Sequence, residues 1–162
     1  MIDEIRQRVD DLIVGWTAAH AIESLRVSLG AVFLWFGVLK FFPGASSAEE
    51  LATDTIQMIS FGLVRPEVSI FLLAAWESLI GIGLITGRAL RATLLLLFLQ
   101  LPGTLMPLAL FPELTFRSVP FVPTLEGQYI IKNLVLASAG LVVAATVRGR
   151  GKGRVSAERD RG

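Results

Sequence analysis

The uncharged stretch Ala92–Pro112, ATLLLLFLQLPGTLMPLALFP, decides the fold of this chain. A helix needs roughly 20 apolar residues to cross the ~30 Å hydrocarbon core of a bilayer, and this stretch is long enough to do so. The whole chain has a matching composition, because it is 53% hydrophobic and 18% charged, with a mean hydropathy of +0.65. A soluble domain typically carries about 25% charged residues. We therefore predict that the chain resides in a membrane.

Three further apolar runs are candidate spans, the first of them short, and each is broken by a single internal charge. They cover residues 26–42, with a start near residue 24, residues 68–86 and residues 128–147. Because no long Ser, Gly or Pro stretch separates them, they belong to one folded unit. The sequence thus predicts an all-α fold, a four-helix transmembrane bundle over residues 24–147.

Polar segments flank this predicted bundle at both ends. In residues 1–23, apolar residues recur at helical spacing between charged ones, which predicts an amphipathic helix on the membrane surface with Trp16 at the headgroups. Packing of this helix on a partner protein is the alternative. Residues 148–162 form a basic tail that directly follows a span and contains no aromatic residues. We predict a disordered cytoplasmic segment that touches anionic lipid and binds no nucleic acid.

The two connections on the opposite side are longer than a simple turn requires. In the first, Ser47 and Glu50 match a capping box that opens a short helix. The residues predicted to lie on the bundle are Leu51, Thr55, Met58 and Ile59. The second, residues 112–126, is rich in proline and phenylalanine, which predicts a stiff, irregular lid dipping into the interface. Simple loops are the alternative for both connections.

The distribution of basic residues predicts the orientation. Eleven Lys and Arg residues lie before the first span, between the second and third spans or after the fourth, whereas Arg65 and Arg117 alone lie in the other two connections. Positive charges near span ends stay in the cytoplasm. Both termini are therefore predicted to be cytoplasmic.

Polar side chains within the spans are the strongest candidates for function. Lys40, Glu77, Gln100 and Lys132 lie in the four spans in that order. Because an unpaired charge at the bilayer centre costs at least ~2.5 kcal/mol, we expect the two lysines and Glu77 to meet in the outer half of the bundle. From the helical depths, Lys132 is the predicted direct partner of Glu77, with Lys40 covering the pocket at its outer mouth.

Two interpretations of this polar cluster remain open: a site for a small polar or quinone-like headgroup, and an ion pair that only holds the bundle together. Prolines after Gln100 should kink the third span and leave room for a cavity. Asn133 extends the polar cluster. The candidate pocket-lining aromatic residues are Trp35, Trp76 and Tyr129, and the alternative for the two tryptophans is packing and lipid contact.

The chain has no cysteine and a single histidine, His20. These counts exclude a disulfide, a thiolate metal site, a CxxC redox pair and paired-histidine haem ligation within the chain. We expect no metal site and no covalent cofactor. Redox chemistry would require a bound molecule or a partner.

Three segments resemble DoxX-like membrane proteins, especially the YkgB-like branch. They are residues 25–41, containing FLWFGVLKF, residues 77–84, ESLIGIGL, and residues 127–136, GQYIIKNLVL. The resemblance extends over residues 25–147. Asn133 stands where that branch commonly has aspartate, which weakens any proton-relay hypothesis.

The resemblance implies a multi-pass protein of the bacterial cytoplasmic membrane. Some relatives are small subunits of quinone-linked oxidoreductases, others are tied to oxidative-stress resistance, and more distant ones are chaperones or cargo receptors. Our leading hypothesis is a subunit that binds a quinone or lipid headgroup in an outer polar cavity and works with a redox partner. A non-enzymatic assembly factor or scaffold and a small transporter are the alternatives. The partner is expected to be another membrane or peripheral protein, or a second copy of the chain, and catalytic activity is left open.

The predicted orientation can be tested with topology reporters. A reporter fused after Gly162 should be cytoplasmic, and one inserted near Ser46 should be outside, because the basic residues hold the other side in the cytoplasm. Activity of alkaline phosphatase and fluorescence of green fluorescent protein at each position measure this. An external carboxyl terminus would overturn the orientation.

Overall fold

The computed structural model of the chain describes residues 2–46 and 49–159, with side chains at positions 9, 11, 13–46 and 49–147. The elements, in chain order, are α1 (Ile2–Leu39), α2 (Glu49–Ile59), α3 (Pro66–Thr86), α4 (Leu90–Leu105), α5 (Pro107–Leu110), α6 (Pro112–Thr115), β1 (Phe116–Ser118), β2 (Val122–Pro123) and α7 (Leu125–Arg159).

Four helical segments are long and apolar enough to cross a membrane. They are Ile13–Leu39, Pro66–Thr86, Leu90–Leu110 and Leu125–Val147. The predicted all-α, four-helix transmembrane bundle is therefore confirmed. We call the end of the bundle that carries α2 and the β1–β2 hairpin the loop side, and the opposite end the turn side.

Helix α1 differs from the prediction of a separate amphipathic helix over residues 1–23. It is continuous from Ile2 to Leu39, with no break where the span begins. The reason is local, because residues 16–29 contain no glycine or proline and are rich in alanine, which has the highest helix propensity. The backbone of residues 2–23 therefore continues into the first span without a break, and placement of this segment on the membrane surface stays a prediction.

Helix α7 likewise continues past its span. Its backbone is helical to Arg159, where the sequence predicts a disordered tail from residue 148. No proline lies between Leu125 and Arg159, so every residue in this range has the amide donor that a helix needs. The side chains after Val147 lie outside the described set.

Helices α1 and α3 pack closely because glycines face the partner backbone. A Cβ placed on Gly37 would lie 2.7 Å from the Ser78 backbone nitrogen, and one placed on Gly81 would lie 2.5 Å from that of Leu34. Both distances are too short for a side chain. Small residues commonly serve such close contacts between membrane helices.

Arg26 holds the turn-side end of the same helix pair. Its Nη1 donates to the Leu84 carbonyl and, at 2.9 Å, to the Ile85 carbonyl, and its Nη2 pairs with Glu23 at 3.2 Å. The last carbonyls of a helix have no intrahelical donor, so a guanidinium is a favourable partner there. Arg26 is thus directed to the end of α3.

The apolar core joins all four spans near the middle and turn side of the bundle. Its buried members are Leu29, Phe33, Ile80, Leu84, Leu94, Leu97 and Val143. Helix α3 ends at Gly87, whose φ of 68° and hydrogen bond to the Gly83 carbonyl form a left-handed cap. This cap permits the tight turn into α4.

The loop side corrects two expectations. Helix α2 is present as predicted, but it buries Thr53 and Thr55, whereas Met58 and Ile59 are exposed. Of the predicted face, Thr55 is buried and Leu51 is half-buried, so the prediction is wrong only for Met58 and Ile59. The hydroxyls of Thr53 and Thr55 donate to helix carbonyls. Ser47 of the predicted capping box lies outside the described residues.

The second connection is more regular than the predicted lid. Residues 112–123 form the short helix α6 and an antiparallel hairpin in which Phe116 pairs with Pro123 and Ser118 with Val122. Thr124 fixes the hairpin to α6, since its amide donates to the Thr115 carbonyl at 2.9 Å. Prolines occur at the ends of such short strands without removing a necessary donor.

Two glycine substitutions test the close contact between α1 and α3. Gly81→Ala should destabilise the bundle by about 1–3 kcal/mol, because the added methyl overlaps the backbone of Leu34. Gly103→Ala in α4 is the matched control, since a Cβ there meets nothing within 4 Å. Unfolding in detergent by increasing SDS measures both. Equal unfolding curves would contradict a contact limited by Gly81.

Candidate functional site

A buried ion pair joins the loop-side end of α1 to the middle of α3. The Lys40 Nζ lies 2.6 Å from Glu77 Oε2, and each residue is only 8% exposed. Each charge would be expensive if it were alone in the bilayer, whereas the pair is neutral. The sequence prediction that Lys40 and Glu77 come together is confirmed by this distance.

The geometry of α1 explains how Lys40 reaches so deep. Side chains on a helix tilt toward its amino terminus, so Lys40, directly after the last residue of α1, points back into the membrane. Its Nζ is also 3.4 Å from the carbonyl of Phe36, one turn earlier. Glu77 lies eleven residues into α3, about 16 Å from its start at 1.5 Å per residue.

Gln100 brings α4 into the same cluster. Its Nε2 donates to Glu77 Oε1 at 2.9 Å, so each carboxylate oxygen of Glu77 has one donor. Among the described residues, the buried Gln100 Oε1 and Ser78 Oγ have no hydrogen-bond partner. The cluster therefore links three of the four spans through one carboxylate.

Lys132 does not take part, which corrects the prediction that it is the direct partner of Glu77. It is exposed, and its Nζ lies 5.0 Å from the centre of the Tyr129 ring, a cation–π contact. The reason is helical phase. Ile130 is the buried residue at this level of α7, and Lys132 lies about 200° around the helix from it.

The other predicted residues also lie away from the ion pair. Asn133 is half-buried beside Lys132, and Tyr129 is exposed. Trp35 is 71% exposed on the outside of the bundle. Trp76 packs against the core, and its indole Nε1 donates to the Leu96 carbonyl at 3.2 Å. The packing alternative therefore describes Trp76, and neither tryptophan borders a pocket at the ion pair.

A cleft of about 650 Å³ opens on the loop side directly above Lys40. It lies between the end of α1, the start of α2 and the start of α3. The lining residues are Lys40, Phe41, Pro43, Gly44, Ser46, Glu49, Glu50, Thr53, Pro66, Glu67, Ile70 and Phe71. Lys40 is thus the residue that connects the cleft with Glu77 and Gln100 behind it.

The position of this cleft corrects the predicted cavity at the proline kink. Helix α4 continues through Pro102, whose carbonyl accepts from the Met106 amide at 3.1 Å, and α5 follows at once. Pro107 and Thr115 are buried there. The sequence does carry a signal for the actual cleft: Phe41 after Lys40, and two acidic residues at the start of α2.

Acidic side chains give the cleft its electrostatic character. Glu49, Glu50 and Glu67 line it, and among the described residues Lys40, already paired with Glu77, is the one basic residue of the lining. Glu49 also accepts from the Gly44 amide at 2.9 Å, which orders the loop after α1. The lining of the cleft is therefore mainly acidic, and Lys40 contributes to it while its ammonium pairs with Glu77.

The family model of DoxX matches residues 21–110. The chain belongs to the DoxX family. The matched residues include the Lys40, Glu77 and Gln100 cluster, whereas Lys132 lies beyond them. Assignment to the YkgB-like branch stays a prediction. No curated protein and no solved structure matches this DoxX chain.

The ion pair can be tested by charge removal. Lys40→Met should lower the free energy of unfolding by about 3 kcal/mol, because it leaves the buried Glu77 carboxylate without its cation. Lys132→Met is the matched control and should change it by less than about 0.5 kcal/mol, since Lys132 is exposed. Unfolding in detergent by SDS or heat measures both.

The double variant Lys40→Met/Glu77→Gln tests whether the two side chains interact, as distinct from what each residue contributes to stability alone. It should recover part of the stability that each single variant loses, because no unpaired charge remains. Strictly additive losses would show that the two side chains do not interact.

Proposed function

We propose that this DoxX protein is a membrane subunit that binds the headgroup of a quinone in the loop-side cleft and works with a redox partner in respiratory or oxidative-stress metabolism. One observation carries the proposal: a cleft of about 650 Å³ is lined by the buried Lys40, whose ammonium pairs with Glu77. Ligand pockets in proteins commonly measure about 300–1,000 Å³.

The ammonium supplies the polar contact. A lysine ammonium has three N–H donors. Among the described residues, Lys40 uses two of them, for Glu77 Oε2 and the Phe36 carbonyl. A third donor can serve an acceptor in the cleft. A quinone carbonyl oxygen is such an acceptor, and binding it leaves the ion pair intact.

The charges around the cleft favour a neutral headgroup over an anionic lipid. A phosphate entering from the open end would pass Glu49, Glu50 and Glu67, and like charges repel. A quinone carries no charge and avoids this penalty. Pro43, Pro66 and Ile70 provide apolar surface for its ring, and Phe41 and Phe71 provide it for the attached tail.

A redox partner follows from the composition of the chain. Without cysteine and with one histidine, the chain offers no thiol pair and no paired-histidine haem site. Electrons would have to reach a bound quinone from another protein. We accordingly propose a quinone-binding, non-catalytic subunit in the bacterial cytoplasmic membrane, with the loop side facing outward as the basic residues predict.

Quinone binding can be measured with purified protein in nanodiscs of neutral phospholipid. The probe is a ubiquinone analogue with a ten-carbon tail. Wild type should bind it, and Lys40→Met/Glu77→Gln should bind at least about tenfold more weakly, because a hydrogen bond to a charged group contributes about 1.5–3 kcal/mol. The double variant is used since it leaves no buried unpaired charge.

Lys132→Met is the control and should bind like wild type, because Lys132 lies away from the cleft. Equal binding by the double variant would remove Lys40 from the site. Absence of binding by folded wild type, together with a protein partner that copurifies without quinone, would favour the assembly-factor alternative.

A further inference from the structure

The cleft has two chemically different borders. Glu49, Glu50 and Glu67 line its polar border at the helix starts on the loop side. Phe41 and Phe71 form a second border, where α1 ends beside the first turns of α3. Water-soluble and membrane-soluble molecules would therefore meet different walls of the same cavity.

The aromatic border faces the bilayer. Phe71 lies five residues into the spanning helix α3, about 7.5 Å below its start at 1.5 Å per residue. It is 60% exposed, and its neighbour Leu72 is exposed as well. In a protein that crosses the membrane, an exposed apolar side chain at this depth contacts lipid.

Phe41 and Phe71 contact each other across the gap between the two helices. Their ring centres are 5.4 Å apart at 74°, an edge-to-face arrangement. Phe41 is 40% exposed, so neither ring is locked in the core. Exposed side chains change rotamer on a picosecond to nanosecond timescale, which allows the two rings to separate without disturbing the helices.

We propose that Phe41 and Phe71 form a lateral gate through which the ligand enters the cleft from the outer leaflet. The inference rests on the proposed function and specifies its ligand class: a neutral headgroup attached to an apolar tail. The headgroup reaches Lys40, and the tail passes between the two rings into the lipid. The acidic border excludes anionic headgroups from the water side.

Two probes that share a headgroup test this gate in neutral nanodiscs. One is a tailless dimethoxy-methyl-benzoquinone, and the other carries a ten-carbon tail. Phe41→Ala/Phe71→Ala should weaken binding of the tailed probe by about fivefold, through loss of the aromatic contacts, and leave binding of the tailless probe nearly unchanged. Each probe is compared across variants, so its partition into lipid cancels.

Phe36→Ala/Leu79→Ala is the matched control, because both side chains are exposed on α1 and α3 but neither lines the cleft. This control should bind both probes like wild type. Equal weakening of both probes by the gate variant, or no change in either, would overturn the gate while wild-type binding through Lys40 still stands. If folded wild type binds neither probe, the proposed function itself fails.

Discussion

The cost of placing a charge in hydrocarbon constrains the rest of this structure. Lys40 and Glu77 are tolerated because they lie 2.6 Å apart, and they reach that distance because Gly37 lets α1 approach the backbone of α3 beside Glu77. A side chain at Gly37 would separate the helices and leave two buried charges unpaired. Helix packing and charge neutralisation are thus a single requirement.

The same requirement shapes the cleft. Pairing draws the Lys40 ammonium inward from the end of α1, and the chain then has to pass outward over it to reach α2. This leaves a space bounded by the loop after α1 and the starts of α2 and α3, with Lys40 among its lining residues. The cavity is therefore a consequence of how α1 ends. The proline-containing α4 contributes Gln100 to the ion pair, because its Nε2 donates to Glu77.

Sequence alone predicted the spans and most of the polar cluster, because apolar length and the cost of buried charge are strong local signals. It selected the wrong lysine for Glu77. Helical depth favoured Lys132, but the direction of a side chain around α7 depends on which face packs, and Ile130 occupies that face. The cleft was misplaced for a similar reason: its walls come from loop residues around Pro43 and from the helix start around Glu67, whose meeting depends on tertiary packing.

The pair and the cleft differ in how freely their residues can change. Replacing Glu77 or Gln100 disturbs hydrogen bonds that join three spans, so these residues are restricted whatever the protein binds. The walls of the cleft are mostly exposed loop and helix-start positions, where substitutions are usually within about 0.5 kcal/mol of neutral. One bundle with one buried ion pair can therefore support clefts of different shape and charge. For this reason, membership in a fold family does not by itself fix an activity. The specific argument for a neutral ligand comes from the residues that line the cleft together with Lys40: Glu49, Glu50, Glu67, Phe41 and Phe71.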